Sequence, residues 1–326
     1  MKQVIKKLSR LSGVALLAAA AWSGSALAQY PTKPITVIIA YAPGGGTDLI
    51  GRLIAPYIEK YLGNNARLVI TNRPGAGGGI GFAEIAKAKP DGYTIGFINT
   101  PNMLSIPIER PSTFGWQSYD LIGNLIDDPG AFTVNTSSSI TNLKELAAYA
   151  KANPGKVTVG STGIGSDDHL AMMFFERASG VKMTHVPYKG SGDMRGAIVS
   201  GQVTVGAINV GEALAYIKGG SPIRMIGQMS AKRTVLAPNM PTFAEQGYNI
   251  ESASLRGMAA PKGLPPEIRE KLVTAVAKAA ADPEYIKKAG ELFAPIRYLA
   301  PKEYAVELQN TDKQLRQLWK EAPWKE

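Results

Sequence analysis

Three glycine-rich stretches hold the chemistry this sequence can offer: Pro43-Gly44-Gly45-Gly46, Asn72-Arg73-Pro74-Gly75-Ala76-Gly77-Gly78-Gly79 and Gly160-Ser161-Thr162-Gly163-Ile164-Gly165-Ser166. Each follows an apolar, β-branched run and precedes a helical pattern. Glycine lets backbone N–H groups face a ligand closely, and a helix N-terminus adds about half a positive charge. Each loop is therefore a potential anion cradle; the alternative is that glycine serves only to turn the chain. Matching cradles in both halves favour a ligand held between two lobes. A phosphate loop would need Gly-Lys-Ser/Thr, and Gly46-Thr47-Asp48 and Gly79-Ile80-Gly81 lack the lysine. The dinucleotide fingerprint fails too, because its third glycine would fall at Ile80 or at Asp168. Asp48 would repel phosphate unless it turns away to cap the helix, which suits a milder anion such as a carboxylate.

Catalytic and metal sets are weaker. The chain has no cysteine, which removes thiolate ligands, cysteine nucleophiles and disulfides, and its two histidines are His169 and His185. No G-x-S-x-G elbow is present. A secreted α/β hydrolase would have to use His169 with Asp168 or Ser166. Asp167-Asp168-His169 can be read as metal ligands, but neighbours at a helix start diverge around the axis, so a capped first turn is the preferred reading. His185 sits on an expected strand, with a hydrogen-bonded structural role as its default. We expect no catalytic residue, no metal and no cofactor.

The elements that must position the loops alternate in an α/β pattern with largely parallel sheets. Strands are expected at Ile35 to Tyr41, Arg67 to Thr71, Tyr93 to Ile98, Lys156 to Val159, Val181 to Val186, Val203 to Ile208 and Ile223 to Gly227. The first helix carries Ile50, Leu53, Ile54, Tyr57 and Ile58 at helical spacing, with Thr47 or Asp48 to cap it, Gly63 to end it and Pro56 to kink it. A second runs through Ile85. Asn142 and Glu145 form a capping box, and the helix after Ser166 runs to Gly180. Shorter helices fall around Met194 to Val199 and Glu212 to Ile217. From Pro265 the tail reads as mostly helical.

At 326 residues the chain is long enough for about two domains. With 45% apolar and 19% charged residues it is neither disordered nor fibrous. Lys2, Lys6, Lys7 and Arg10 precede an apolar run, and Ala26-Leu27-Ala28 supplies a small-x-small site, so residues 1–28 read as a signal peptide cut after Ala28. The run is too short to span a bilayer. Removing it lowers the net charge from +10 to +6, and the basic residues are scattered, which argues against a nucleic-acid partner.

The segments Ala42-Pro43-Gly44-Gly45-Gly46-Thr47-Asp48, Asn72-Arg73-Pro74-Gly75-Ala76-Gly77-Gly78, Pro90-Asp91-Gly92-Tyr93-Thr94, Gly160-Ser161-x-Gly163-x-Gly165-Ser166-x-x-His169-Leu170 and His185-Val186-Pro187-Tyr188-Lys189-Gly190-Ser191 carry a resemblance over nearly the whole length after the leader. The chain resembles the Bug family, periplasmic solute-binding proteins of tripartite tricarboxylate transporters. The resemblance implies an α/β two-lobed clamshell, each lobe a mainly parallel sheet flanked by helices. Residues 29–130 plus 255–326 would form one lobe and 131–254 the other. It also implies a monomer that captures a small carboxylate between the lobes and delivers it to a membrane permease. A sensory role, presenting the ligand to a signalling receptor, is the alternative.

Carried over by position, the implied ligand contacts are Tyr41, Ala42, Pro43, Gly44, Gly45, Gly46 and Thr47, with Asp48 at the cap, then Pro74, Gly75, Ala76 and Gly77, and Ser161, Thr162, Gly163 and Ser166. Specificity is expected from Asn99, Thr100, Asn209 and Arg256. Two segments depart from the family pattern: Ser112 to Leu121 follows it loosely, and Arg256 stands where an aromatic side chain is common. A guanidinium there can meet a ligand carboxylate or brace the hinge. Hinges are expected near Pro129-Gly130 and Ser252–Ser254.

Overall fold

The structure, a computed structural model, describes residues 30–324; the expected signal peptide and its cleavage site lie outside them. The β-branched run Ile35–Ile39 forms strand β1, buried apart from Thr36, and passes through the first glycine-rich loop into helix α1 (Gly46–Leu62). α1 continues through Pro56, and Gly63 closes it with its N–H on the Glu59 carbonyl at 3.1 Å. Strand β2 (Leu68–Asn72), helix α2 (Gly79–Lys87) and strand β3 (Thr94–Asn99) repeat the unit, followed by helix α3 (Asn102–Glu109). β1 pairs in parallel with both β2 and β3, as the pattern predicts.

The second half replays this plan after a 17-residue strand, β4 (Tyr119–Asn135). Helix α4 (Leu143–Ala152) starts at Asn142, whose Oδ1 accepts the Glu145 N–H at 2.9 Å, while Glu145 reaches back to Thr141 rather than to Asn142. Then come strand β5 (Thr158–Ser161), helix α5 (Asp167–Ser179), strand β6 (Thr184–Pro187), helix α6 (Ser191–Ser200), strand β7 (Val205–Asn209), helix α7 (Val210–Lys218) and strand β8 (Ile223–Gln228). β5 pairs in parallel with β6 and β7. Strand β9 (Ala253–Pro261), helices α8 (Pro266–Ala280) and α9 (Pro283–Glu291), strand β10 (Ile296–Leu299) and helix α10 (Pro301–Glu321) complete the chain.

The α/β architecture stands, but the sheets are mixed rather than mainly parallel. β9 runs antiparallel to β3 and β4, and β4 runs antiparallel to β7, β8 and β10. Neither β4 nor β9 is among the expected strands, because Pro129-Gly130 and Ser252-Ala253-Ser254 read as chain crossings. In the structure β4 pairs β9 as far as Pro129↔Ala253, then turns to β7 from Gly130↔Asn209. One strand thus belongs to the first sheet at its start and to the second at its end.

Apolar clusters pack on the faces of both sheets. In the second, Phe132, Phe175 and Phe243 meet edge-on with ring centroids 5.1–6.2 Å apart, a geometry that favours aromatic pairs beyond the area they bury. On the first, Ile39, Ile54, Phe97 and Leu272 are fully enclosed. Among the described residues no helix is long and apolar enough to cross a membrane.

Candidate functional site

The first glycine-rich loop is folded onto its own helix by Asp48. Its Oδ2 accepts the Gly44 N–H at 2.9 Å, and Arg52 Nε and Asn72 Nδ2 donate to the same carboxylate at 3.0 Å. Burial alone would disfavour the charge, but these donors outweigh it and hold the carboxyl below its usual range. Asp48 thereby ties the loop to its own helix and to Asn72. The next donor is already engaged: Gly46 N–H gives its hydrogen bond to Glu212 Oε1 of α7 at 2.9 Å. A Cβ at Gly46 would overlap both that carboxylate and the Arg256 guanidinium, so glycine alone permits the approach. Thr47 Oγ1 accepts from Asn99 Nδ2 at 2.8 Å.

The loop of the second half is equally preorganised. Thr162 donates through N–H and Oγ1 to Asp168 Oδ2 at 3.0 and 2.7 Å, and Ser166 Oγ caps α5 by accepting the His169 N–H at 3.1 Å. Gly165 N–H donates to His169 Nδ1, and Ser161 Oγ lies 2.5 Å from His185 Nε2. The two imidazoles stack 4.0 Å apart. Burial pushes His169 down to about 3, with His185 adding to the effect, and pushes His185 down to about 4. Both rings are therefore neutral in the folded protein. The hydrolase constellation is not assembled: Asp168 faces Thr162, and Ser166 meets the His169 backbone rather than its ring.

The loops of the two halves touch. Ala42 N–H donates to the Lys189 carbonyl at 3.2 Å, Ser105 Oγ to the Gly165 carbonyl at 2.6 Å and Tyr216 OH to the Gly44 carbonyl at 3.2 Å. A Cβ on Gly163 would lie 2.8 Å from the Gly77 Cα. Between the loops is a cavity of about 20 Å³, lined from the first half by Tyr41, Gly45, Gly46, Thr47 and Asn99 and from the second by Thr162, Asp167, Ser191, Asn209 and Glu212, with Ser254 and Arg256 of β9. That space suits roughly one water molecule.

Sheet register explains why these side chains meet. Asn99 and Arg256 are cross-strand partners on β3 and β9, Ser254 opposes Asp128 on β4, and Asn209 opposes Gly130 where β4 changes sheets. Arg256 is buried. Its Nη2 donates to Asn209 Oδ1 at 2.8 Å and pairs with Asp128 Oδ2 and Glu212 Oε1, each at 3.2 Å. Asn209 Nδ2 in turn donates to Asp167 Oδ2 at 2.9 Å. Burial pushes Asp128 up to about 7 despite Arg256, and pushes Asp167 up to about 6 against its hydrogen bond from Asn209. Asp168 is raised by burial and then by the neighbouring charges of Asp167 and Glu212.

Of the residues singled out in the sequence, Tyr41, Gly45, Gly46, Thr47, Asn99, Thr162, Asn209 and Arg256 line this cavity. Gly75, Ala76, Gly77 and Gly163 line a second one of about 450 Å³ with Arg110 and Lys189. Thr100 falls outside both; its Oγ1 accepts the Leu255 N–H, and it lines a third cavity beside Pro129 and Met229. Ala42, Pro43, Gly44, Asp48, Pro74, Ser161 and Ser166 line neither of the first two and shape or support the loops. Asp128, Asp167, Ser191 and Glu212 were missed. Asp167 and Glu212 open helices, so their first-turn positions read as dipole complements, and Asp128 is masked by the Pro-Gly that follows it.

Comparisons with known proteins agree with this architecture. Residues 50–318 match the family described as tripartite tricarboxylate transporter family receptor. A UPF0065 protein encoded in the gbd 5′ region of Cupriavidus necator is 32% identical over 93% of this chain and 92% of its own, and BugT of Bordetella pertussis is 31% identical over 73% and 74%. The periplasmic binding protein BugD superposes with a TM-score of 0.84 at 29% identity, covering 91% of this chain and 99% of its own. R. palustris Rpa4515, solved with adipate, gives 0.82 at 28% identity over 89% and 97%. The matched family is a receptor family, and BugD is a periplasmic binding protein. The chain belongs to the tripartite tricarboxylate transporter receptor family, in its Bug group.

Proposed function

We propose that this protein is a periplasmic solute-binding receptor that captures a small carboxylate in the cleft between its two sheets and delivers it to a tripartite tricarboxylate permease. The observation that carries this reading is the cavity lined by glycine-rich loops of both halves and by Arg256 of β9. Backbone amides at helix starts and the hydroxyls of Thr47, Thr162 and Ser191 are the group types that hold a carboxylate. The relative solved with adipate supports the ligand class. A periplasmic receptor needs an exported chain, and the leader ending at Ala28 supplies one.

In this reading residues 29–130 with 255–326 form one lobe and 131–254 the other, hinged where β4 and β9 cross. Small-molecule sites run to about 300–1,000 Å³, far above the 20 Å³ present, so the lobes part to admit the ligand. Thermal-shift and calorimetric screening of aliphatic, hydroxy, amino and aromatic carboxylates tests the binding step. A true ligand at a hundred times its Kd stabilises the protein by about 2.7 kcal/mol. Uptake by a strain lacking the gene tests delivery. The reading is lost if no carboxylate binds.

A further inference from the structure

The charge around the cleft runs opposite to what a bare anion cradle needs. Asp128, Asp167, Asp168 and Glu212 are all buried there, and among the described residues the cation ion-paired with them is Arg256, which bonds Asp128 and Glu212. The other ionisable groups facing the cluster are Tyr41 and Tyr216, and Arg195 is held over the Tyr216 ring, 5.2 Å from its centroid. The strongest anion-binding feature of the first loop is already filled, since Glu212 takes the Gly46 N–H. A second, independent feature points the same way. Asn99 is 3% exposed and lines the cavity, and with its Nδ2 donating to Thr47 its Oδ1 is left without a donor among the described residues. An orphaned buried acceptor next to surplus carboxylates calls for a ligand that donates.

Resting on the receptor reading above, we infer that the ligand is a zwitterion, an amino carboxylate whose ammonium group docks among Asn99, Asp167 and Glu212. A plain dicarboxylate would bring a second negative charge to acids that are already crowded, and burial would magnify the repulsion. An ammonium supplies three donors and offsets the excess. The carboxylate end then lies toward the second cavity, which Gly77, Gly163 and Lys189 line together with Asp193 and with Arg110, itself paired with Glu109. An inorganic cation fits less well, because no group of three or more His, Asp or Glu among the described residues is placed to hold a metal. Burial pushes Asp128 up to about 7, which leaves it partly protonated at neutral pH, and Asp167 up to about 6, which leaves it mostly ionised there; an incoming ammonium displaces the proton that remains, so binding releases protons, whereas a dicarboxylate takes them up.

Calorimetry on the leaderless chain at pH 7, in two buffers of different ionisation enthalpy, tests this with matched ligands. These are succinate and 3-aminopropanoate, glutarate and 4-aminobutanoate, adipate and 5-aminopentanoate, and the N-acetyl form of each amine. The expected result is an amino carboxylate binding at least tenfold tighter than its dicarboxylate partner and its N-acetyl form, with net proton release. Asp167→Asn should reduce that preference to near unity. Tighter dicarboxylate binding with proton uptake would overturn the inference and leave the receptor reading intact. No binding by any member of the set overturns the inference, and the receptor reading is then decided by the wider carboxylate screen. The ligand pairs on the unaltered protein decide the matter even if the variant fails to fold.

Discussion

Arg256 was the residue on which the sequence left two roles open, and its partners decide what its loss would do. Its guanidinium on β9 is bonded to Asp128 of β4 and to Asn209 and Glu212 of the second half, so it ties the crossing strands to α7. Removing it strands two buried carboxylates, a change that typically costs about 3–5 kcal/mol. The sign of the pH dependence follows from Asp128. Its folded value of about 7 lies above its ordinary 3.8, so the stability it contributes is present at low pH and fades as pH rises through 7. Without Arg256 that carboxyl is pushed higher still. Arg256→Ala should therefore lose about 3–5 kcal/mol at pH 8 and clearly less at pH 5, read by urea denaturation at both values. An equal loss at the two would show that Asp128 does not sense the guanidinium.

At the scale of elements, the parallel βα units were legible and the connecting strands were not. Ile35–Ile39 and Leu68–Asn72 announce themselves by β-branching, and Ser166 and Asn142 mark helix starts with capping hydrogen bonds that form as expected. β4 hides because its centre, Asp127-Asp128-Pro129-Gly130, has the composition of a turn. The residues there bend the strand from one sheet to the next and bring an acid into the cleft. Spacing could place the glycine-rich loops; it could not show that Glu212, capping its own α7, also reaches the Gly46 amide 166 residues away. Loop contact has its own test at Gly163. Its φ of +122° is a region side chains rarely adopt, and a Cβ would press on Gly77 across the cleft. Backbone strain of this kind costs on the order of 1–3 kcal/mol. Gly163→Ala should lower the melting temperature modestly and weaken ligand binding about tenfold or more, the 1.4 kcal/mol per decade being drawn from the closed form in particular. Unchanged affinity would separate the Gly77–Gly163 contact from closure.

For the molecule as a whole, the two-lobe reading proposed above makes the buried acids a link between lobe closure and protons. In the structure Asp167 and Glu212 of the second half face Tyr41, Gly46, Thr47 and Asn99 of the first across one cavity, with Asp168 buried beside Asp167, Asp128 and Arg256 at the crossing and Tyr216 behind; on that reading this is the closed form. In the closed form burial pushes Asp167 and Asp128 up to about 6 and about 7, whereas an open, hydrated cleft returns them toward the ordinary carboxylate range. The closed form then binds more protons. It is favoured at low pH and loses ground as pH rises through 6 and 7. An ammonium-bearing ligand supplies the missing positive charge and can shift the balance back, because it touches both lobes only when they are shut. Small-angle scattering on the ligand-free protein should therefore show a larger radius of gyration at pH 8 than at pH 5. A saturating amino carboxylate at pH 8 should return it to the smaller value. A radius that ignores pH while still shrinking with ligand would mean that closure does not dry these carboxyl groups, and that contacts outside the acid cluster drive the two halves together.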